Sequence, residues 1–319
     1  MNKPKSISNL PAQNDESGKN WLTYPLLLLV VLFWGVNMPV MKFALERMDR
    51  YAFNFARLSL STLVLGLIVF WCKAPLIDRS AGAPPIKRQA VLILLFSLFT
   101  AFIYQVLFLL GIDMTSAGNT ALIMAAVPMW IAVLSFLFLR ERLSLAAWAG
   151  LGIALAGVLV VTLNGAQVGK TEGSVLGNLM VSSAAWAWAA GSVMSKPLMR
   201  NISPVALTFY AFLITLPLHF LMMIGNLEEL NKLATDWKLL AALCYSGIFS
   251  TGLANAMWNV GIKQVGPSRA AGFQNLVPLV ALGASWVLIG EVPFFIQICG
   301  GVLIIAGLIV MLRMKKREG

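Results

Sequence analysis

Residues 121–141 read ALIMAAVPMWIAVLSFLFLRE, and residues 271–291 read AGFQNLVPLVALGASWVLIGE. Both stretches carry a Val-Pro pair, at Val127–Pro128 and Val277–Pro278, and both close on a glutamate, Glu141 and Glu291, at a constant offset of 150 positions. The register extends outward. Gly111 and Ile112 fall on Gly261 and Ile262, and Gly150, Ala156 and Gly157 fall on Gly300, Ala306 and Gly307. Nearer the N-terminus the offset becomes 154, which sets Trp34 and Lys42 on Trp188 and Lys196. The chain is a tandem repeat whose register changes once, in a loop.

Each quoted stretch is also apolar over about the ~20 residues that a helix needs to cross a ~30 Å hydrocarbon core. Hydrophobic residues make up 59% of the chain and charged ones 12%, with a mean hydropathy of +0.82, which excludes a water-soluble globule. Ten such segments are predicted, near 22–43, 51–72, 90–112, 119–139, 145–163, 174–196, 204–225, 237–262, 268–290 and 294–312. A membrane β-barrel would show shorter segments of alternating polarity, whereas GLGIALAGVLVVTL and GGVLIIAGLIVMLR are apolar on every face. The expected fold is an all-α polytopic membrane protein: ten transmembrane helices in two five-helix repeats, 22–163 and 174–312, around a central cavity. A polar tail at 1–21, read as disordered, a linker at 164–173 and a basic tail at 313–319 complete the chain. Cys72, Cys244 and Cys299 have no metal-like spacing and read as packing residues.

Five crossings per repeat is an odd number, so the second repeat enters the bilayer from the opposite face and the halves are inverted copies. Inverted repeats are the architecture of alternating access, because each half can adopt the other's conformation around a site held between them. The charge of +11 follows the same topology. Lys3, Lys5, Lys19, Lys73, Arg79, Lys87, Arg88, Arg140, Arg142, Lys196, Arg200, Lys263, Arg269, Arg313, Lys315, Lys316 and Arg317 share one side, and Arg47, Arg50, Lys170, Lys232 and Lys238 the other. The positive-inside rule then puts both termini in the cytoplasm and accounts for the basic excess without nucleic acid. Single cysteines at Ser80 and Ser144, on a background free of native cysteine, should be shielded from an impermeant thiol reagent in intact cells, and one at Thr171 should be labelled. The reverse pattern would invert the topology.

The five-plus-five plan, the Trp34-Gly35 pair followed by Lys42, Arg57 in the second helix and the two Val-Pro segments resemble the EamA-like branch of the drug/metabolite transporter superfamily. The resemblance covers nearly all of 22–312. It implies helices packed around a central cavity, a bacterial inner-membrane location and efflux of amino acids, metabolites or drugs, with no single substrate implied. The second repeat departs from the first at WAWAAGSVMSK, which stands where the first has WGVNMPVMK.

Helical spacing and polarity nominate the cavity lining. Trp34, Asn37 and Met41 share one face of helix one, Trp188, Ser192 and Ser195 one face of helix six, and Asn255 and Asn259, with Trp258 adjacent, one face of helix eight. Tyr104 and Gln105 are the strongly polar groups of helix three, and Gln274 and Asn275 precede Pro278. Amides and indoles at these places either line a polar path or hydrogen-bond between helices. Gln105 and Asn255, equivalent at the offset of 150, are expected to face each other across the site and to offer it both donors and acceptors. Pro128 and Pro278 should bend helices four and nine, as gate hinges or as static kinks. Gly150, Gly157, Gly300 and Gly307 allow close backbone approach.

Charges inside a bilayer need partners. Lys42 and Lys196 lie near helix ends, where snorkelling competes with substrate contact, and Glu141 and Glu291 close their helices on opposite sides. Arg57 lies deeper and is expected to pair with backbone carbonyls or Glu46. His219, the single histidine, reads as a packed neutral ring rather than a proton relay. No Asp or Glu occupies the middle of any predicted segment, which disfavours organic cations and favours a neutral or zwitterionic metabolite such as an amino acid, exported between the repeats. Multidrug efflux of organic cations is the alternative. A membrane enzyme is a third reading, disfavoured by one histidine and the lack of an intramembrane carboxylate pair. No catalytic residue, cofactor or metal is expected. The expected partners are a small-molecule substrate and the lipid bilayer, and the chain is taken as a monomer.

Overall fold

The computed structural model describes residues 22–71, 85–139, 145–163, 173–274, 276–290 and 292–315, and among them it contains helices and no strand. Glu141, Glu291 and Asn275, together with the tail 1–21, lie outside the described residues. The helices are α1 (Thr23–Leu45), α2 (Arg50–Trp71), α3 (Ile86–Met114), α4 (Ala117–Met124 and Val127–Leu139), α5 (Leu145–Leu163), α6 (Gly173–Leu198), α7 (Pro204–Met223), α8 (Trp237–Val265), α9 (Pro267–Gln274 and Val277–Ile289) and α10 (Phe295–Lys315). A 3-10 helix, Ile224–Asn231, and a single α-helical turn, Lys232–Thr235, join α7 to α8.

Local chemistry sets the boundaries. The Ser116 hydroxyl accepts from the Asn119 amide and starts α4, Ser203 does the same for Ala206 with Pro204 in the first turn of α7, and Asp236 accepts from the amides of Lys238 and Leu239 to start α8. Gly266 (φ +84°) and Gly290 (φ +68°) occupy left-handed positions at the ends of α8 and α9, which only glycine adopts at little cost.

The molecule is inside-out relative to a soluble protein. Leu67 is 51% exposed and Phe70 79%, while Asn54, Arg57, Gln105 and His219 are almost wholly buried at the centre. Apolar side chains therefore meet lipid, and polar groups that hydrocarbon cannot satisfy turn inward. The halves are interleaved: α1 packs on α8 and α9, and α6 packs on α3 and α4. The pairs α2–α7 and α5–α10 are formed by equivalent helices of the two repeats. In the second pair the expected glycine packing is direct. A Cβ built on Gly157 would fall 2.7 Å from the Gly300 carbonyl oxygen, and one on Gly307 would fall 2.5 Å from that of Gly150.

Two features differ from the sequence expectation. Helix four is broken at Ala125–Ala126, two residues before Pro128, rather than bent at the proline. Helix nine resumes at Val277 with Pro278 in its first turn. Proline's missing N–H is harmless in a first turn, where no intrahelical partner exists, so each proline starts a new segment instead of deforming an old one. Second, α3 and α8 each contain a π-helical stretch, Leu98–Ile103 and Tyr245–Leu253, which overlap at the offset of 150. These wider turns release backbone carbonyls from the regular ladder.

Candidate functional site: a cavity between the two repeats

A cavity of about 50 Å³ lies between the halves and is lined by α1, α2, α3, α4, α6, α8 and α9. Seven of the nominated residues line it: Trp34, Asn37, Tyr104, Gln105, Trp188, Asn255 and Gln274. Ser192, Trp258 and Asn259 line a smaller adjoining pocket, which Trp188 and Asn255 share with the main one. An aromatic cluster stands where the two meet. Trp34 and Trp188, equivalent in the two repeats, contact edge-to-face with ring centres 5.5 Å apart, Trp34 reaches Trp258 at 5.4 Å, and Tyr104 reaches Trp188 at 4.9 Å.

Carbonyls of both π stretches accept from side chains of other helices. Trp34 Nε1 donates to the Ser250 carbonyl at 3.2 Å, and Ser61 Oγ donates to that of Gly247 at 2.7 Å. On the first-repeat side, Ala101 O accepts from His219 Nε2 at 2.8 Å. That bond fixes the tautomer: Nε2 carries the proton, and Nδ1 accepts from Asn54 Nδ2 at 3.2 Å. His219 is buried, with both ring nitrogens hydrogen-bonded.

Asn54 carries the network on to Arg57, whose Nη2 donates to Asn54 Oδ1 and, at 2.8 Å, to Gln105 Oε1. Its Nη1 faces the Met41 sulfur at 3.1 Å, and its Nε has no partner. The expected pairing with Glu46 or with carbonyls is not formed. Glu46 meets Arg47, on the exposed end of α1, while α3 brings the Gln105 amide to the guanidinium. Arg57 itself lines the cavity, which its sequence position alone did not reveal. Gln105 is consequently a partner of Arg57 as well as a lining residue. Met38, Phe108, Met124, Ser250, Thr251 and Val277 also line the cavity and were not nominated. Residues of these types read as ordinary packing in an apolar helix. Ser250 and Thr251 are carried to the wall by the π stretch of α8.

The remaining nominated residues serve the scaffold. Lys42 Nζ donates to the carbonyls of Ile112, Asp113 and Thr115 at 3.3, 3.0 and 2.8 Å, closing the C-terminal end of α3, where a cation is favoured by the helix dipole. Lys196 is exposed near the end of α6. Asn259 Nδ2 donates to Thr208 Oγ1 at 2.9 Å and joins α8 to α7, Ser195 Oγ donates to the Ser192 carbonyl, and Met41 is turned to Arg57 and Ser246. Pro128 and Pro278 are buried at the starts of their half-helices, and Cys244 and Cys299 are free and half-buried.

Comparison with known proteins agrees with this architecture. A "Probable amino-acid metabolite efflux pump" of Salmonella typhimurium is 27% identical over 296 residues, spanning 89% of this chain and 93% of its own length. A "Probable terminal-alkyne amino-acid exporter" of Streptantibioticus cattleyicolor is 26% identical, with 90% of this chain and 92% of that one aligned. "Uncharacterized transporter YetK" of Bacillus subtilis is 26% identical, with 92% of this chain and 88% of that one aligned. One crystal structure shares the fold with a TM-score of 0.64 at 18% identity, covering 93% of this chain and 98% of that one. The model of the EamA-like transporter family matches residues 21–163 and again 175–313, which are the two repeats, and the chain belongs to that family.

Proposed function

We propose that this transporter exports small zwitterionic or neutral metabolites of the amino-acid class across the bacterial inner membrane, with both termini in the cytoplasm and the two repeats exchanging conformations around the cavity. The observation that carries the reading is the cavity itself. It is walled by both repeats, and its lining joins indoles and amides to apolar side chains, with no carboxylate among the described lining residues. Amides and indoles bind uncharged or zwitterionic solutes without a buried counter-ion. An organic cation would instead meet the guanidinium of Arg57, so multidrug efflux of cations is the weaker reading. Two relatives named for amino-acid efflux or export support the substrate class.

The test is counterflow in proteoliposomes of the purified full-length chain, with leucine, methionine and phenylalanine as labelled solutes and ethidium as the cationic comparator. Amino-acid exchange above that of protein-free liposomes, with no exchange of ethidium, is expected. Ethidium exchange alone would replace the proposal with drug efflux, and exchange of none of these solutes would remove the substrate class.

A further inference from the structure

The polar groups left unpaired around the cavity have opposite hydrogen-bonding character. Arg57 is 1% exposed, and among the described residues its guanidinium meets two neutral amide oxygens and a thioether, with Nε unpaired. The four ion pairs among those residues join Arg47 to Glu46 and Asp236, Arg50 to Asp113 and Lys232 to Glu229, and none reaches Arg57. A cation withdrawn from water with no counter-charge is costly, and a guanidinium is shaped to grip a carboxylate. The second set is made of acceptors. Asn37 Oδ1 and Gln274 Oε1 are both buried, both belong to residues that line the same cavity, and neither has a partner. An ammonium group brings three donors and no acceptor. Trp34 and Trp188 belong to the same lining, and an indole ring attracts a cation.

We propose that these groups read the two charges of one substrate. Arg57 receives a free carboxylate, and Asn37 and Gln274 receive a free ammonium, so the cavity selects an intact α-amino acid over its amide or its deaminated acid. The apolar side chain of the substrate then lies against Phe108, Met124 and Val277. This inference rests on the amino-acid reading above and adds which ends of the molecule are recognised and by which residues. Loss of one charge-assisted contact is worth at least about tenfold in affinity.

The experiment competes labelled phenylalanine in proteoliposomes against phenylalanine, phenylalaninamide and 3-phenylpropionate. Ligand-induced thermal stabilisation of the detergent-purified chain serves as an independent binding readout. In the parent protein both analogues should compete at least about tenfold more weakly than phenylalanine. Arg57→Met should bring phenylalanine down to the level of its amide, and Arg57→Lys, which keeps the charge, should recover part of the difference. Asn37→Leu, which removes one of the two acceptors and leaves the guanidinium network untouched, should reduce the preference for phenylalanine over 3-phenylpropionate and keep its preference over the amide. Exchange of phenylalanine with the amide competing equally well, or with the analogue ratios unchanged in folded Arg57→Lys and Asn37→Leu, overturns the inference and leaves the amino-acid reading standing. Exchange of none of the three amino acids removes that reading and the inference with it.

Discussion

Gly307→Leu is expected to lower the yield of folded, monodisperse protein severalfold, while Gly152→Leu leaves it unchanged. A Cβ on Gly307 would lie 2.5 Å from the Gly150 carbonyl oxygen, 2.5 Å from the Ala154 amide nitrogen and 2.9 Å from the Ala154 Cα. All three are backbone atoms, so no rotamer change relieves the clash and α10 must move away from α5. Gly157 lies in the reciprocal position against Gly300 and Ile304, so the displacement undoes that contact as well. Overpacking in a close-packed interior costs about 1–3 kcal/mol, and a leucine forced between two backbones lies at the upper end or beyond it. Gly152 is on the same helix as Gly157 but is exposed, with nothing within 4 Å of its Cβ. Size-exclusion yield and thermal melting of the two variants check the contrast. Equal melting temperatures would mean that the α5–α10 backbones do not touch.

The second large effect is expected from Asn54→Leu. Leucine keeps the branched outline of asparagine, though it is bulkier, and severs two bonds, the one accepted from Arg57 and the one donated to His219 Nδ1 at 3.2 Å. A hydrogen bond to a charged group is worth about 1.5–3 kcal/mol, and the unpaired imidazole nitrogen adds about 1–3 kcal/mol. His219→Leu breaks only the far end of the network and should destabilise less. Because both substitutions cut the Asn54–His219 bond, the double variant should lose less stability than the two single losses added together. Thermal denaturation of the four proteins in one detergent measures this, and additive losses would show that the chain from Ala101 O through His219 and Asn54 to Arg57 does not act as a unit.

The ten helices were legible because a bilayer imposes one length and one composition on every crossing. The repeat was legible because substitution left landmarks, Val-Pro pairs and glycines, at a constant offset. Half of the cavity lining was legible for a related reason: a polar side chain inside an apolar helix has to face something other than lipid, so Trp34, Asn37, Gln105, Asn255 and Gln274 marked its wall. The π stretches at Leu98–Ile103 and Tyr245–Leu253 left no such mark, since a widened turn alters hydrogen-bond register without requiring any residue type. The partners of Arg57 were misread because Glu46 is near in sequence, whereas Gln105 comes near only through the packing of α3 on α2. The prolines were read as faults inside helices because the sequence does not show that the preceding turn has already ended.

Trp34 and Trp188 are the same residue of the two repeats, yet they are bonded differently. Trp34 gives its indole proton to the Ser250 carbonyl, and Trp188 Nε1 gives its proton to nothing. The position equivalent to Ser250 in the first repeat is Thr100, at the offset of 150, and it lies in the other π stretch, where a Cβ on Gly191 of α6 would already touch its side chain. Under the exchange of conformations proposed above, Trp188 would take the Thr100 carbonyl as Trp34 releases that of Ser250. The indole bond then appears once in each state and cancels from the balance between them. What remains to set the relative populations of the two states is the set of positions where the repeats have diverged, which includes seven of the nine from Trp34 to Lys42, Asn37 against Gly191 and Met38 against Ser192 among them. A solute that bridges Arg57 and Asn37 shifts that equilibrium only by the difference in its affinity for the two states.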